Sequence, residues 1–499
     1  MAVVHAVFTP LVQVDPTDAS KLVPGAAVEW TPNDDATVWT FKLNPEGAFS
    51  DGTPVTATDF VYAFNRIANP NTVNTQTGDP DPSTINYHLG FIQGYDDVQD
   101  GKTDVLAGLK AIDDTTLEIT LSQPFADFAY VVSHPALGPV PKAAVENGVD
   151  YNGQKVAFAD FPVGNGPFKL SEPWAHDQYI KVIAADTYKL GEAPYLDGID
   201  FMIYKDPATA YREFQAGNLD YTQIADGEIQ NAIATYGESP DGYTSNPGQQ
   251  VLLGAENSIY YLAINNKVKG LDDPNVRKAI NLAINRQAIC DVVFEGTREP
   301  ADNIVPPGIA GYQAGAWVDS HYDIEAAKQA LVDAGYPEGK GLPTFSISFN
   351  SDGGHEKIME LIQSDLEKIG ITVRADSLEW SAYIDKLQNG NYDLARFGWV
   401  ADYPIAYNFL YPLFDSESAD NVSFYADKAV DAGIAEAEKT TDITSRLSQF
   451  STLSKTIGDA NPVAPVMFYK HHHVTGDTVH DFTLDAQYLV DYVHVWLGN

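Results

Sequence analysis

Residues 344–397 read TFSISFNSDGGHEKIMELIQSDLEKIGITVRADSLEWSAYIDKLQNGNYDLARF, and the apolar spacing switches back and forth between a strand pattern and a helix pattern. Thr344–Phe349 reads as a strand. Glu356–Ile369 carries Ile358, Leu361, Ile362, Leu366 and Ile369 at helical spacing. Ile371–Ala375 predicts a second strand, Trp380–Leu387 a helix and Asp393–Phe397 a third strand. Strands and helices alternating over such short intervals build βαβ units, so at least part of this sheet is parallel.

The last strand leads into Asp393–Pro404, DLARFGWVADYP, where Arg396 and Asp402 stand six residues apart around Gly398, Trp399 and Val400. Side chains alternate along a strand, so Leu394, Arg396, Gly398 and Val400 share one face and Ala395, Phe397, Trp399 and Ala401 the other. Asp402 and Pro404 mark the end of pairing, because proline gives no ladder hydrogen bond. Ligands of α/β sheets gather at the carboxyl ends of strands, which is where this loop begins. A carboxylate there can bind an ammonium group, a guanidinium can bind a carboxylate through its planar fork, and Trp399 can wall the space between them. The alternative reading makes Arg396 and Asp402 ordinary surface charges, or partners of other residues, and Trp399 part of the core.

Upstream, Asp273-Pro274 is an N-cap followed by proline at the first helical position, with Val276, Ile280 and Ile284 along one helical face. Asp323 caps a further helix that stops at Gly335. The first half is richer in strands: Val38–Leu43 alternates Trp39, Phe41 and Leu43, and Leu117–Leu121 follows an Asp113-Asp114 turn. Thr56 and Asp59 form a capping box ahead of Phe60, Phe64 and Ile67. Asn69–Pro82 is a polar loop punctuated by proline, and the glycine of Ala216–Asp220 ends a helix. The composition shifts near residue 270, the best candidate for a boundary.

The length of 499 residues suits about three domains, and 44 % hydrophobic content is enough for sizeable cores. With 30 basic against 69 acidic residues the net charge is −39, which excludes the electrostatic footprint of a nucleic-acid or anionic-lipid binder. The excess serves solubility or a high-salt setting rather than attraction of cationic ligands. Cys290 is the only cysteine, so no internal disulfide forms; it reads as a small buried hydrophobe. No apolar run reaches the roughly 20 residues that span a bilayer, and no export signal is read at the start. That leaves a mature or trimmed chain, a misplaced start, or a cytoplasmic protein.

Catalytic patterns are missing. His355-Glu356 lacks the second histidine of a zinc protease, Asp79 and Asp81 lack the rest of a calcium loop, and Gly164 and Gly166 lack the remainder of a phosphate loop. The run His471-His472-His473, placed in one strand, would send its members to alternate sides, so it is not read as a metal site. The expectation is a non-enzyme with no cofactor, no metal and no catalytic residue.

Several segments taken in order resemble one family. They include LVPGAAVEW (Leu22–Trp30), FSDGTPVTATDFVYAF (Phe49–Phe64), KAIDDTTLEITLSQP (Lys110–Pro124), HPALGPVPKAAVE (His134–Glu146), YYLAINN (Tyr260–Asn266), DDPNVRKAINLAINRQAI (Asp272–Ile289) and LARFGWVADYP. The chain resembles the extracytoplasmic solute-binding proteins of ABC importers in the peptide and nickel class (family 5), oligopeptide-binding proteins in particular.

The resemblance implies a bilobal α/β fold of the periplasmic-binding-protein type with mixed sheets and an extra third domain. Residues 1–45, 165–270 and about 475–499 would form a discontinuous lobe I, 46–164 an extra α+β domain, and 271–474 lobe II. It further implies a monomeric receptor, periplasmic or a cell-surface lipoprotein, that closes by a hinge over an oligopeptide and delivers it to the permease subunits. Asp402 would take the α-ammonium group and Arg396 the carboxylate of a short peptide. Gly398, Trp399 and Val400 would offer backbone groups, Trp380 and Trp399 would shape side-chain pockets, and Tyr260 and Tyr261 are weaker candidates.

Two departures stand out. Relatives carry several dozen residues ahead of the point matching Val3–Val12, so the expectation is a missing N-terminal strand, an exposed sheet edge and a reduced cleft wall. Residues 71–81 also lack the family's usual aromatic-bearing loop. The alternatives are a receptor of the same fold for another solute, an oligosaccharide or a metal chelate, and a secreted peptide hydrolase.

Overall fold

The structure, a computed structural model, describes residues 1–498 except 17, 75–77, 79, 84, 226, 352 and 353; the middle of the Asn69–Pro82 loop thus lies outside the described residues. Two compact units divide the chain, Met1–Leu253 with His472–Asn499 and Gly254–His471. The chain therefore passes between units twice, at Leu253–Gly254 and at His471–His472.

In the first unit, strands Ala27–Pro32, Val38–Leu43, Thr116–Thr120 and Leu109–Asp113 form one antiparallel sheet in that order. Trp39, Phe41 and Leu43 are buried, as their alternation predicts. Helix Ala57–Ala68 begins with the Thr56–Asp59 capping box and buries Phe60, Ala63 and Phe64. Each large side chain removed from water in this way contributes roughly 1.5–3 kcal/mol. The ladder from 27–43 to 109–120 ties these strands to the 46–164 stretch that sequence reasoning sets apart as an extra domain.

The glycines of Val163–Leu170 have a packing role. A Cβ on Gly164 would stand 2.1 Å from the Val7 carbonyl oxygen, and one on Gly166 2.5 Å from the Val7 carbonyl carbon. Asn165 locks the same approach, accepting from Thr9 N and donating to Thr9 O, each at 2.9 Å. Only a residue without a side chain lets the two backbones pass this closely.

The second unit is built on a six-stranded sheet in the order Glu299–Pro300, Val463–Lys470, Ala255–Ile264, Leu394–Val400, Phe345–Asn350, Val373–Leu378. Phe345–Asn350 runs parallel to both Val373–Leu378 and Leu394–Val400, and the remaining pairs are antiparallel. This mixed sheet agrees with the βαβ reading of 344–397. The unit starts at Gly254, ahead of the composition shift near 270, because the 255–264 strand lies inside the sheet with partners on both sides.

Helices Pro274–Ala283 and Glu356–Glu367 cover one face, burying Val276, Ile280, Ile358, Ile362 and Leu366 with Leu262, Ile347 and Leu394. Asp273 caps the first of these helices by accepting from Asn275 N. Cys290 belongs to the same core, and burial pushes its thiol up to about 12, so it stays protonated and inert.

The three histidines do not share a strand. His471 follows Val463–Lys470 and its Nε2 accepts from Gly254 N at 3.0 Å; His472 Nε2 meets the Gln223 side-chain amide at 2.9 Å; His473 opens strand His473–Thr475 and stacks on Tyr221. The passage between units falls inside the run and interrupts the pairing. Among the described residues no group of three His, Cys, Asp or Glu side chains is placed to hold a metal ion.

Candidate ligand-binding site

Strand Leu394–Val400 pairs with Ala255–Ile264 over its whole length, Ile264↔Leu394 through Ser258↔Val400. Just beyond each end, Asn265 N donates to Asp393 O and Ala401 N to Asn257 O. Hydrogen-bonded pairs alternate in an antiparallel ladder, so residues 395, 397 and 399 turn their amides and carbonyls toward 255–264. Arg396, Gly398 and Val400 turn theirs toward the opposite edge.

That edge is covered only at its start. Phe345–Asn350 pairs with the 394–400 strand at Ile347↔Leu394 and Ser348↔Ala395, and then keeps company with Val373–Leu378 out to Asn350↔Leu378. The Tyr383 hydroxyl donates to the Arg396 carbonyl. Past it, Gly398 and Val400 present N–H and C=O groups on an edge with no strand partner among the described residues, and Val400 is 67 % exposed. Of the trio Gly398, Trp399 and Val400, the ladder turns the backbone of Gly398 and Val400 to the open edge and that of Trp399 toward Ile259.

Arg396 lies on the same face as Tyr260, and its guanidinium carbon stands 5.0 Å from the centre of that ring. Its Nη2 donates to Tyr469 Oη at 3.0 Å and its Nη1 approaches Asn350 Oδ1 at 3.5 Å, the long limit of a hydrogen bond. Nε is buried without an acceptor, and among the described residues no carboxylate pairs with this arginine. Burial works against its charge, but the surrounding Tyr469 and Tyr260 outweigh it and the net shift is upward. The result is a charged donor fork whose hydrogen-bonding capacity is only partly used.

A Cβ on Gly398 would meet Tyr469 Oη at 3.5 Å and Arg396 Nη2 at 3.6 Å, ordinary contact distances, and the Ile259 carbonyl oxygen at a tighter 3.2 Å. Tyr260 is fully buried, with its hydroxyl 3.3 Å from His355 Nδ1, so it acts as the floor under Arg396. Tyr261 points to the other face, packs edge-on against Phe397 and is 2 % exposed. It is core, and its place among the candidate contacts is withdrawn.

On that other face, Trp399 Nε1 donates to Asn408 Oδ1 at 3.3 Å. Asp402 is held by the same amide: its N–H donates to Asn408 Oδ1 at 2.9 Å, and Asn408 Nδ2 donates to Asp402 Oδ2 at 3.2 Å. Burial, and then the charge on Asp402, raise the carboxyl pKa of Asp420, so a second acid shares this neighbourhood. Trp380 opens helix Trp380–Gln388 directly after strand Val373–Leu378 and is 47 % exposed. Asn350, Trp380 and Asp402 thus each lie at or just past the carboxyl end of one of the three parallel strands.

The sequence singles out Arg396, Asp402, Gly398 and Trp380; the structure sets Asn350 and Tyr469 beside Arg396, His355 beside Tyr260, and Asn408 beside Asp402, none of which the sequence singles out for this region. Two of these had a usable signal: Asn350 ends a predicted strand, and His355 was noticed only as an incomplete metal motif. Tyr469 arrives from a strand remote in sequence, which no local pattern reveals.

Residues 21–421 match the model of the bacterial extracellular solute-binding proteins, family 5 Middle. The chain belongs to this family. It is 32 % identical over 467 residues to the periplasmic oligopeptide-binding protein OppA of Escherichia coli K12, covering 92 % of this chain and 81 % of that one. Its fold is similar to the unliganded open form of MppA, a periplasmic murein tripeptide binding protein, with a TM-score of 0.84, 26 % identity and coverage of 99 % and 92 %. Haemophilus influenzae OppA in complex with the peptide RPPGFSPFR matches with a TM-score of 0.70, 26 % identity and coverage of 99 % and 94 %. The bilobal, mixed-sheet class expected from the sequence is that of these solved relatives.

Proposed function

We propose that this family 5 solute-binding protein is a peptide receptor of an ABC importer, and that the peptide binds as an added strand along the open edge of Leu394–Val400. The observation that carries the reading is the edge itself: among the described residues Gly398 and Val400 have no strand partner on that side, with an under-used guanidinium at one end and a carboxylate at the other. Main-chain hydrogen bonds to Gly398 and Val400 give affinity without reading side chains. Asp402 takes the α-ammonium group, and Arg396 takes the carboxylate of a peptide short enough to end there. Trp380 and the ring of Trp399 border side-chain pockets, and Tyr260 supports Arg396.

The names of the relatives support peptide as the ligand class. Delivery to permease subunits, a monomeric state, and a periplasmic or lipid-anchored location are parts of the same proposal, as is an added domain within the first unit. For that domain the ladder between 27–43 and 109–120 favours including the two early strands. No catalytic role is assigned.

Thermal unfolding against a mixed library of di- to nonapeptides tests the reading. A peptide that binds only the folded state, at 100 times its dissociation constant, adds about 2.7 kcal/mol and raises the midpoint. A midpoint that ignores every peptide but rises with another class of solute contradicts it.

A further inference from the structure

Asn408 is the second residue of helix Tyr407–Phe414, whose Phe409, Leu410, Leu413 and Phe414 are buried, so the helix start is seated on a packed base. The Asn408 side chain is itself 2 % exposed. All of its polar capacity that the structure shows is spent on the loop that follows the 394–400 strand. Oδ1 accepts from Trp399 Nε1 at 3.3 Å and from Asp402 N at 2.9 Å, while Nδ2 donates to Asp402 Oδ2 at 3.2 Å. Turning the amide over would set its NH2 against two N–H donors and its oxygen against a carboxylate, so the network admits one orientation.

This one amide thus fixes both the backbone and the carboxylate of Asp402, and anchors the indole of Trp399 to the same point. A carboxylate on a loop after a strand otherwise has two free torsions, and ordering it on binding would cost affinity. A buried amide that holds the loop through three hydrogen bonds removes that cost beforehand.

We propose that Asn408 is the positioning residue of the ammonium site: it presets the Asp402 carboxylate for the α-ammonium group and so contributes to the preference for peptides with a free amino terminus. The inference rests on the assignment of Asp402 made above. It predicts that Asn408 matters to recognition of the free amino terminus only through Asp402, any effect through the Trp399 indole falling equally on free and acetylated peptides.

The test is calorimetric titration with trialanine and N-acetyl-trialanine of four proteins: the wild type, Asn408→Ala, Asp402→Asn and the double variant. Asn408→Ala should weaken trialanine by about tenfold, the size of one charge-assisted hydrogen bond, and the acetylated peptide by less than about twofold. In the Asp402→Asn background the same change should have almost no further effect. Asn408→Ser, which keeps a hydroxyl and is the milder change should the alanine variant fold poorly, should give the same split with a smaller loss. Equal loss of both peptides, or losses that add in the double variant, would mean that Asn408 only supports the fold. If Asp402→Asn alone weakens both peptides equally, the ammonium site itself is refuted and the role of Asn408 falls with it.

Discussion

Arg286 and Arg396 are both guanidiniums of the second unit without a carboxylate partner among the described residues, and they differ in what their nitrogens reach. Arg286 is 3 % exposed, and every nitrogen is matched: Nε donates to Pro465 O at 2.6 Å, Nη1 to Asn281 O at 2.9 Å and Ile284 O at 3.3 Å, and Nη2 to Asn281 Oδ1 at 3.1 Å. It stitches the end of helix Pro274–Ala283 to strand Val463–Lys470. Arg396 reaches one tyrosine hydroxyl and one distant amide, and its Nε has no acceptor among the described residues. A charge buried for structure finds a carbonyl for each of its nitrogens; a charge kept for a ligand leaves a nitrogen without one.

The largest effect expected from this contrast is on stability. Arg286→Met takes the guanidinium donors away from the carbonyls of Pro465 and Asn281 in a dry interior and should cost about 3 kcal/mol, read from denaturant unfolding. Protein that still folds should bind peptide as the wild type does. A cost under about 1 kcal/mol would remove Arg286 from the frame and erase the contrast.

Arg396→Met should do the reverse. Removing a guanidinium whose donors are only partly engaged leaves stability within about 1 kcal/mol of the wild type, while binding of a free tripeptide falls by about ten- to a hundredfold. The C-terminally amidated tripeptide should lose little, since it has no carboxylate for the fork to grip. Comparable losses for acid and amide would assign Arg396 to the frame beside Arg286.

The smallest effect sharpens the picture around the fork. Gly398→Ala puts a methyl within 3.2 Å of the Ile259 carbonyl and close to Arg396 Nη2 and Tyr469 Oη. Stability should fall by about 1 kcal/mol or less, and short peptides should bind a few-fold more weakly, while longer peptides that run past Arg396 are less affected. Unchanged binding at every length would show that the edge beside Gly398 is not used.

Much of the frame was legible in the sequence, because its determinants are local. The Thr56–Asp59 capping box, the Asp273-Pro274 start and the helical spacing of Ile358, Ile362 and Leu366 each fix an element through neighbours a few residues away. Arg396 and Asp402 were legible as a pair of charges at a strand end. Which backbone groups lie open was not, since that depends on the parity of a ladder with residues some 140 positions earlier, and it turned Trp399 inward while leaving Gly398 and Val400 outward. Tyr260 and Tyr261 read alike as adjacent tyrosines, yet the pleat sends one beneath Arg396 and the other into the core. The histidine run misled because a passage between units interrupts the strand that local pattern assumed.

The measurement that bears most directly on the central claim is calorimetric titration of the wild type and Asp402→Asn with one tripeptide in its free and N-acetylated forms. The account predicts that the wild type binds the free form about a hundredfold more tightly, and that Asp402→Asn abolishes this preference by weakening the free form alone. A wild type that binds both forms equally, or an Asp402→Asn variant that keeps the preference, would contradict it.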